Sequence, residues 1–172
     1  MKPLIDNFTF CPQCKGPLNK IGDGLINCPS CGFHFYLKPS LTTALILENS
    51  KGKIFLTKRK FPPKKNYWDV PGGFINLKET AEECLRREIK EELGIKLSKI
   101  NYFGSYWSYY PYKNIDYQTL CLVYTAKYEK QKITLNDDVK GGQFIPKKNI
   151  RLNELSFDDI RNALRDYLRL GE

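Results

Sequence analysis

The chain has 172 residues and carries 28 Lys and Arg against 19 Asp and Glu, a formal net charge of +9; 41% of it is hydrophobic and 13% aromatic. That composition describes a folded globule of one full domain plus a small module and excludes a disordered chain. No apolar run approaches the roughly 20 residues that cross a bilayer, so no membrane partner is expected. The basic balance draws polyphosphates, binds nucleic acid nonspecifically or simply solubilises the surface.

The first motif is Cys11-Pro-Gln-Cys14 with Cys28-Pro-Ser-Cys31. Paired thiolates at this spacing wrap tetrahedral Zn²⁺, as in zinc ribbons; disulfides and a redox pair are the other readings. Disulfides need an oxidising compartment. Residues 1–6 show no apolar core of a secretory leader, so zinc and a cytoplasmic location are the expectation. Gly22-Asp23-Gly24 reads as a hairpin turn between the pairs. A segment of residues 1–37 is too short to bury a sizeable core without a staple. Four thiolates would close the metal's coordination, which makes the zinc structural. The one histidine, His34, reads as an ordinary strand residue, and Cys84 and Cys121 as small core residues.

Residues 41–48 read as a buried strand, 49–52 as a turn and 53–57 as a second strand. A basic cluster follows, Lys58-Arg59-Lys60 and Lys64-Lys65, and then Tyr67-Trp-Asp-Val-Pro-Gly-Gly73, a short strand ending in a sharp turn. From about 78 to 93 the spacing predicts a helix, with Ala81, Leu85, Ile89 and Leu93 as its apolar stripe and Gly94 as its stop. Glu82–Arg86 and Glu83–Arg87 have the i, i+4 spacing of surface ion pairs. Glu88, Glu91 and Glu92 share one face, where three carboxylates repel one another unless a cation offsets them; Mg²⁺ favours such oxygen ligands.

Residues 100–108 and 119–128 are aromatic and β-branched and read as strands. Trp107, Tyr109, Tyr110 and Tyr112 either stack a base or pack against the fold. Asp137 and Asp138 open a loop that leads into a strand ending at Pro146. Ser156 is expected to cap a last helix that runs to about Arg169, with Asp159 near a capping-box position.

From Gly73 onward the chain reads G-x5-E-x7-R-E-U-x-E-E-x-G-U, with U aliphatic, and Gly73, Glu79, Arg87, Glu88, Ile89, Glu91, Glu92, Gly94 and Ile95 fill every fixed position. This resembles the signature box of the Nudix hydrolases. The resemblance implies an α/β fold, an α/β/α sandwich with a mixed sheet, over residues 38–172, with a zinc ribbon over 1–37. It further implies Mg²⁺ or Mn²⁺ held by the Gly72 carbonyl, Glu88 and Glu92, with Glu91 as a ligand or base and with Glu79 and Arg87 bracing the loop against the helix. Asp138, before Val139 and Phe144, fits the place of an additional catalytic carboxylate in the zinc-ribbon members, where Glu is usual.

A ribbon ahead of the box resembles the NADH pyrophosphatase branch. That branch carries S-Q-P-W-P-F-P-x-S after the box, and here only Ser105 and Pro111 agree, with Lys113 in place of the last Ser. The expected function is metal-dependent hydrolysis of a nucleoside diphosphate linked to another moiety, such as NAD(H) or ADP-ribose. Arg59, Trp107 and Tyr109 are the candidate substrate contacts. The alternatives are a nucleotide-sensing or nucleic-acid-binding module and an RNA 5′-end pyrophosphohydrolase. The expected partner is a small nucleotide in preference to nucleic acid, and a homodimer is compatible with the chain.

Overall fold

The computed structural model describes residues 2–136 and 138–170, so Asp137, read above as part of the loop, lies outside the described residues. The strands are β1 (Lys2–Pro3), β2 (Asn19–Ile21), β3 (Leu25–Asn27), β4 (His34–Tyr36), β5 (Ser40–Glu48), β6 (Lys53–Arg59), β7 (Trp68–Asp69), β8 (Asn101–Tyr112), β9 (Ile115–Lys127) and β10 (Val139–Pro146). The helices are α1 (Ala81–Leu93) and α2 (Asp158–Arg169). Strands β2, β3 and β4 form a small antiparallel sheet beside the cysteines, with the turn at residues 22–24. The other seven form one mixed sheet. Lys2 and Pro3 belong to that larger sheet, paired in parallel with β9, although they precede the cysteines.

At the centre, β5 runs parallel to β9 from Ser40↔Thr119 to Glu48↔Lys127, while β6 and β10 add antiparallel neighbours. Buried β5 is apolar at consecutive positions because both of its faces are covered. Leu45 and Leu47 pack under Leu85, Ile89 and Leu93 of α1. Ala44 and Ile46 pack under Ile160, Ala163 and Leu164 of α2. One helix on each face makes the expected α/β/α sandwich with a mixed sheet. No helix among the described residues is long and apolar enough to cross a membrane.

Several local expectations are corrected. The first helix begins at Ala81, because Thr80 caps it: Thr80 Oγ1 accepts from the Glu83 amide and Glu83 accepts from the Thr80 amide, while Lys78 sits at φ 66°, outside the helix. Glu83 is thus used in the cap, Glu82 accepts from Tyr124 Oη at 2.8 Å, and Arg86 donates to the carbonyls of Leu97 and Ser98. These partners replace the expected i, i+4 ion pairs. The aromatic strands are longer than predicted and join through Lys113 and Asn114, both at positive φ, in a tight hairpin turn. Phe157, not Ser156, holds the N-cap position of α2, with no side-chain cap bond, so the helix starts one residue later than expected; the Phe157 ring lies 5.2 Å from that of Tyr110. Gly94 does end α1 in the left-handed region, at φ 68°.

Glu48, at the end of β5, ties the sheet to α2. It accepts from Lys127 Nζ at 2.8 Å and from Tyr167 Oη of α2 at 2.5 Å, and pairs with Lys147 Nζ at 3.0 Å. Burial opposes its ionisation, but these three partners outweigh burial and hold the carboxyl down at about 2. A depressed carboxyl stabilises the fold above its ordinary pKa and loses that contribution as pH falls toward 2. Glu48→Gln is therefore expected to lower stability by about 1–3 kcal/mol at neutral pH and to flatten the loss between pH 5 and 2, measured by denaturant titration across that range. An unchanged acid limb would remove Glu48 as its source.

Candidate functional site

The turn before α1 is held against the sheet by backbone bonds. The Thr43 amide donates to the Gly73 carbonyl at 2.8 Å and the Leu45 amide to the Pro71 carbonyl at 2.9 Å. Gly72 between them adopts φ 148°, and a Cβ there would stand 2.1 Å from the Thr43 carbonyl oxygen, so only glycine fits. Its amide donates to Glu92 Oε2 at 3.1 Å. At Gly73 a Cβ would stand 2.3 Å from Glu88 Oε1. The paired glycines thus let two carboxylates of α1 reach the turn.

Arg87 fastens the arrangement. Its guanidinium grips Glu79 with two bonds, Nε to Oε1 at 2.8 Å and Nη2 to Oε2 at 3.0 Å. Nη1 reaches Glu88 Oε1 at 2.7 Å and Glu91 Oε2 at 3.1 Å, and Nη2 donates to the Phe74 carbonyl at 3.1 Å. The Arg87 bonds, with that of the Asn76 amide, hold the Glu79 carboxyl down at about 2, and the same carboxylates push the guanidinium pKa further up. Such forked contacts are the strong kind of charge-assisted hydrogen bond.

A cleft of about 320 Å³ opens over this group. Gly72, Glu88, Glu91 and Glu92 line one side, with Asp138 and Arg59 also on its wall. Glu92 is 8% exposed, whereas the Glu91 side chain is 48% exposed and accessible to water. The group sets three carboxylates, Glu79, Glu88 and Glu91, around one guanidinium, with Glu92 beside them on the Gly72 amide. That hard, all-oxygen donor set fits Mg²⁺ or Mn²⁺.

The cleft continues into a smaller pocket of about 90 Å³ walled by Phe74, Tyr110 and Phe157, with Asp69 and Asp159 beneath. The Phe74 and Tyr110 rings meet edge to face at 5.6 Å. Arg59 pairs with Asp69 at 3.1 Å and stands 5.1 Å from the Phe157 ring. Burial pushes the Asp69 carboxyl up against the pull of Arg59, and burial with the nearby Asp69 charge raises Asp159 to about 6.

Of the substrate candidates, Arg59 lies in the cleft and Trp107 and Tyr109 do not. Residue parity along β8 separates them. Tyr106 and Tyr110 face the α2 side, the former bonded to Asp166 of α2 and the latter against Phe157. Trp107 and Tyr109 point to the other face, half-exposed and packed on each other at 4.6 Å. Tyr109 lines a different cavity, of about 730 Å³, with Leu37 and Asp116. Asp69, Phe74, Phe157 and Asp159 escaped the sequence reading as site residues. Asp69 and Phe74 flank the glycine turn and could have been found there; Phe157 and Asp159 carry no local signal.

At the other end, Cys11, Cys14, Cys28 and Cys31 place their four sulfurs within 4.8 Å of one another. The Cys11–Cys31 and Cys14–Cys28 separations are 3.7 and 3.4 Å, near the roughly 3.8 Å that tetrahedral Zn–S bonds of about 2.3 Å require. Two matching turns build the cluster: Lys15 and Gly32 donate to the carbonyls of Cys11 and Cys28, and these cysteines' amides donate to Gly16 and Phe33. Burial would raise the Cys28 thiol, but amides of Cys31 and Ser30 and neighbouring thiols outweigh it and lower it to about 6. The cluster is compatible with zinc.

Residues 38–168 match the family model of the NUDIX domain. The chain belongs to the Nudix family. It is 33% identical over 137 residues to an ADP-ribose pyrophosphatase of Methanocaldococcus jannaschii, an overlap of 80% of this chain and 78% of that one. It is 30% identical over 131 residues to the NAD-capped RNA hydrolase NudC of Chromobacterium violaceum, covering 75% of this chain and 46% of the relative. The chain thus spans about half the length of the NudC relatives it matches. Among solved structures, a NUDIX hydrolase from Nitrosomonas europaea shares the fold with a TM-score of 0.68 and 24% identity, over 94% of this chain and 90% of that one. The NUDIX domain of Shewanella oneidensis NrtR, solved with ADP ribose, has a TM-score of 0.64 and 20% identity, over 78% and 90%.

The glycine turn offers a direct test of the acidic group. Gly73→Ala is expected to displace Glu88 and weaken Mn²⁺ binding at least tenfold, read by titration calorimetry, with helix content retained. Unaltered Mn²⁺ affinity would separate Glu88 from the cation site.

Proposed function

We propose that this Nudix chain hydrolyses the pyrophosphate bridge of a nucleoside diphosphate linked to a second group, with ADP-ribose and NAD(H) as the leading substrates. The observation that carries this reading is the gathering of Glu88, Glu91 and Glu92 at the glycine turn, in a cleft that continues into an aromatic-walled pocket. Gly72, Glu88, Glu91 and Glu92 are the residues that would hold Mg²⁺ or Mn²⁺. When bound, the cation would offset diphosphate charge and lower the pKa of a bound water. Arg87 fixes the carboxylates, so the site is organised before substrate arrives. Glu91, exposed to solvent, or Asp138 across the cleft takes the proton from the attacking water. Phe157 and Tyr110 offer ring surfaces to a base and Arg59 a charge to the diphosphate. An ADP-ribose pyrophosphatase among the relatives supports this substrate class. The complete carboxylate set weighs against a purely sensing module.

Glu91→Gln and Glu92→Gln are each expected to lower turnover by a factor of about 10² or more while leaving the fold intact by circular dichroism. Hydrolysis of ADP-ribose in ¹⁸O-labelled water should place the label in a phosphoryl product. Turnover of plain nucleoside triphosphates alone would overturn the substrate class.

For the ribbon, residues 1–37 are proposed as a structural zinc module and 38–172 as the hydrolytic domain. Protein purified under reducing conditions is expected to hold one Zn²⁺ that survives mild chelation while activity still requires added Mg²⁺ or Mn²⁺. Cys28→Ser should release the zinc and lower the melting temperature. Zinc-free wild-type protein from metal-replete cells would refute the module.

A further inference from the structure

The cavity of about 730 Å³ lies away from the acidic cleft, where the small sheet beside the cysteines meets the large one. Three parts of the chain wall it. Tyr109, Asp116 and Gln118 come from β8 and β9; Tyr109 pairs with Gln118 and strand residues alternate, so the three share one face of that hairpin. Pro3, Leu4 and Ile5 come from the N-terminal segment, and the turn at residues 22–24 with Leu37 from the small sheet. Each wall is held. Pro3 pairs with Asp116, Asp6 with Lys20 at 3.6 Å, and the Phe8 ring meets Phe35 at 5.2 Å, so the N-terminal segment is tied to both sheets. The Leu37 amide donates to the Gly24 carbonyl at 2.7 Å, and Trp107 braces the Tyr109 ring edge to face. Packed junctions leave few voids larger than a water molecule. A volume of this size between fixed walls is that of a small-molecule site, and such sites favour domain junctions.

The polar groups on its wall are chiefly acceptors. Asp23 comes from the turn of the small sheet and Asp116 from β9, and no hydrogen bond or ion pair among the described residues engages either carboxylate. Lys38 is the one cation among the lining residues and stands 4.9 Å from the Tyr36 ring. On a chain of net charge +9 this wall thus carries one more acid than base. Carboxylates accept hydrogen bonds and repel phosphate. The matching ligand brings hydroxyl or amino donors for them and a flat ring for Tyr109, and sets no phosphate beside them. We propose that this cavity is a second binding site, for an unphosphorylated nucleoside whose base lies on Tyr109 and whose sugar hydroxyls donate to Asp23 and Asp116. Aromatic rings hold a base by stacking whatever its sequence context. The site is independent of the hydrolysis proposed above. It stands back to back with the cleft, since the next residue, Tyr110, walls the aromatic pocket on the opposite face of β8.

The test titrates the full chain with adenosine and with AMP. The chain has two tryptophans, and Trp107 packs on Tyr109, so in a Trp68→Phe background the emission reports on this cavity. Adenosine is expected to change that emission saturably. Asp23→Ala and Asp116→Ala in the same background should each weaken adenosine by about fivefold or more, with circular dichroism unchanged. Asp23 stands on an exposed turn, so its variant keeps the test open if Asp116→Ala disturbs the hairpin. AMP, whose phosphate would stand near the carboxylates, is expected to bind about tenfold or more weakly than adenosine. No saturable change with adenosine would overturn the site. So would a change that survives both Asp variants, or one that is lost in Phe157→Ala instead, which would place adenosine in the pocket of the cleft. AMP bound as tightly as adenosine would overturn the unphosphorylated class.

Discussion

The site depends on one guanidinium. Arg87 is the joint at which the loop carboxylate Glu79, the helix carboxylates Glu88 and Glu91 and the Phe74 carbonyl meet. Without it, these three acidic side chains would be drawn together only by backbone geometry and pushed apart by charge. A lysine could not replace it, since an ammonium is a point charge and cannot grip Glu79 with two parallel bonds while donating to three other oxygens. The fork also explains why the loop between Gly73 and α1 needs no secondary structure of its own: Glu79 is fixed at both ends, by Arg87 and by the Asn76 amide.

The carboxylates were legible because their signal is local and helical. Spacing of i, i+3 and i+4 fixes a common face whatever the rest of the chain does. The glycines were legible for a related reason, as a turn signal adjoining that helix. Strand residues are different. Tyr109 and Tyr110 differ by one position and therefore by a whole face of the sheet, and nothing within β8 says which face looks into the cleft. That is decided by α2, which packs on the Tyr106 and Tyr110 side. Phe157 and Asp159 reach the pocket only through the crossing of a distant helix. The helix start at Ala81 also turned on a competition that periodicity does not register, since Thr80 and Glu83 satisfy each other's backbone amides.

The two clusters of metal-compatible side chains divide by chemistry as well as by place. Soft thiolates are confined to the small sheet at the N-terminal end, and hard carboxylates to the α1 face of the large one. Cys84 and Cys121, the remaining cysteines, are buried, and burial raises both thiols. They are therefore poor thiolate donors to a cation in the cleft. Ligand type alone would steer zinc to one end and magnesium to the other.

The central strand joins these parts mechanically. Thr43 and Leu45 of β5 hold the glycine turn through their amides, while Ala44 and Ile46 pack beneath α2. The same strand thus supports the acidic loop by backbone bonds and the aromatic pocket by side-chain contact. At its far end Glu48 binds Tyr167, near the C-terminal end of α2, and Asp166 of that helix binds Tyr106 of β8. Phe157 and Asp159 stand at the other end of α2, in the pocket wall. A change at Glu48 that let α2 tilt would move the ring that faces Tyr110 without touching any carboxylate of the box. Geometry at the pocket and geometry at the acidic group are consequently separable, and a variant far from both should alter substrate affinity more than turnover.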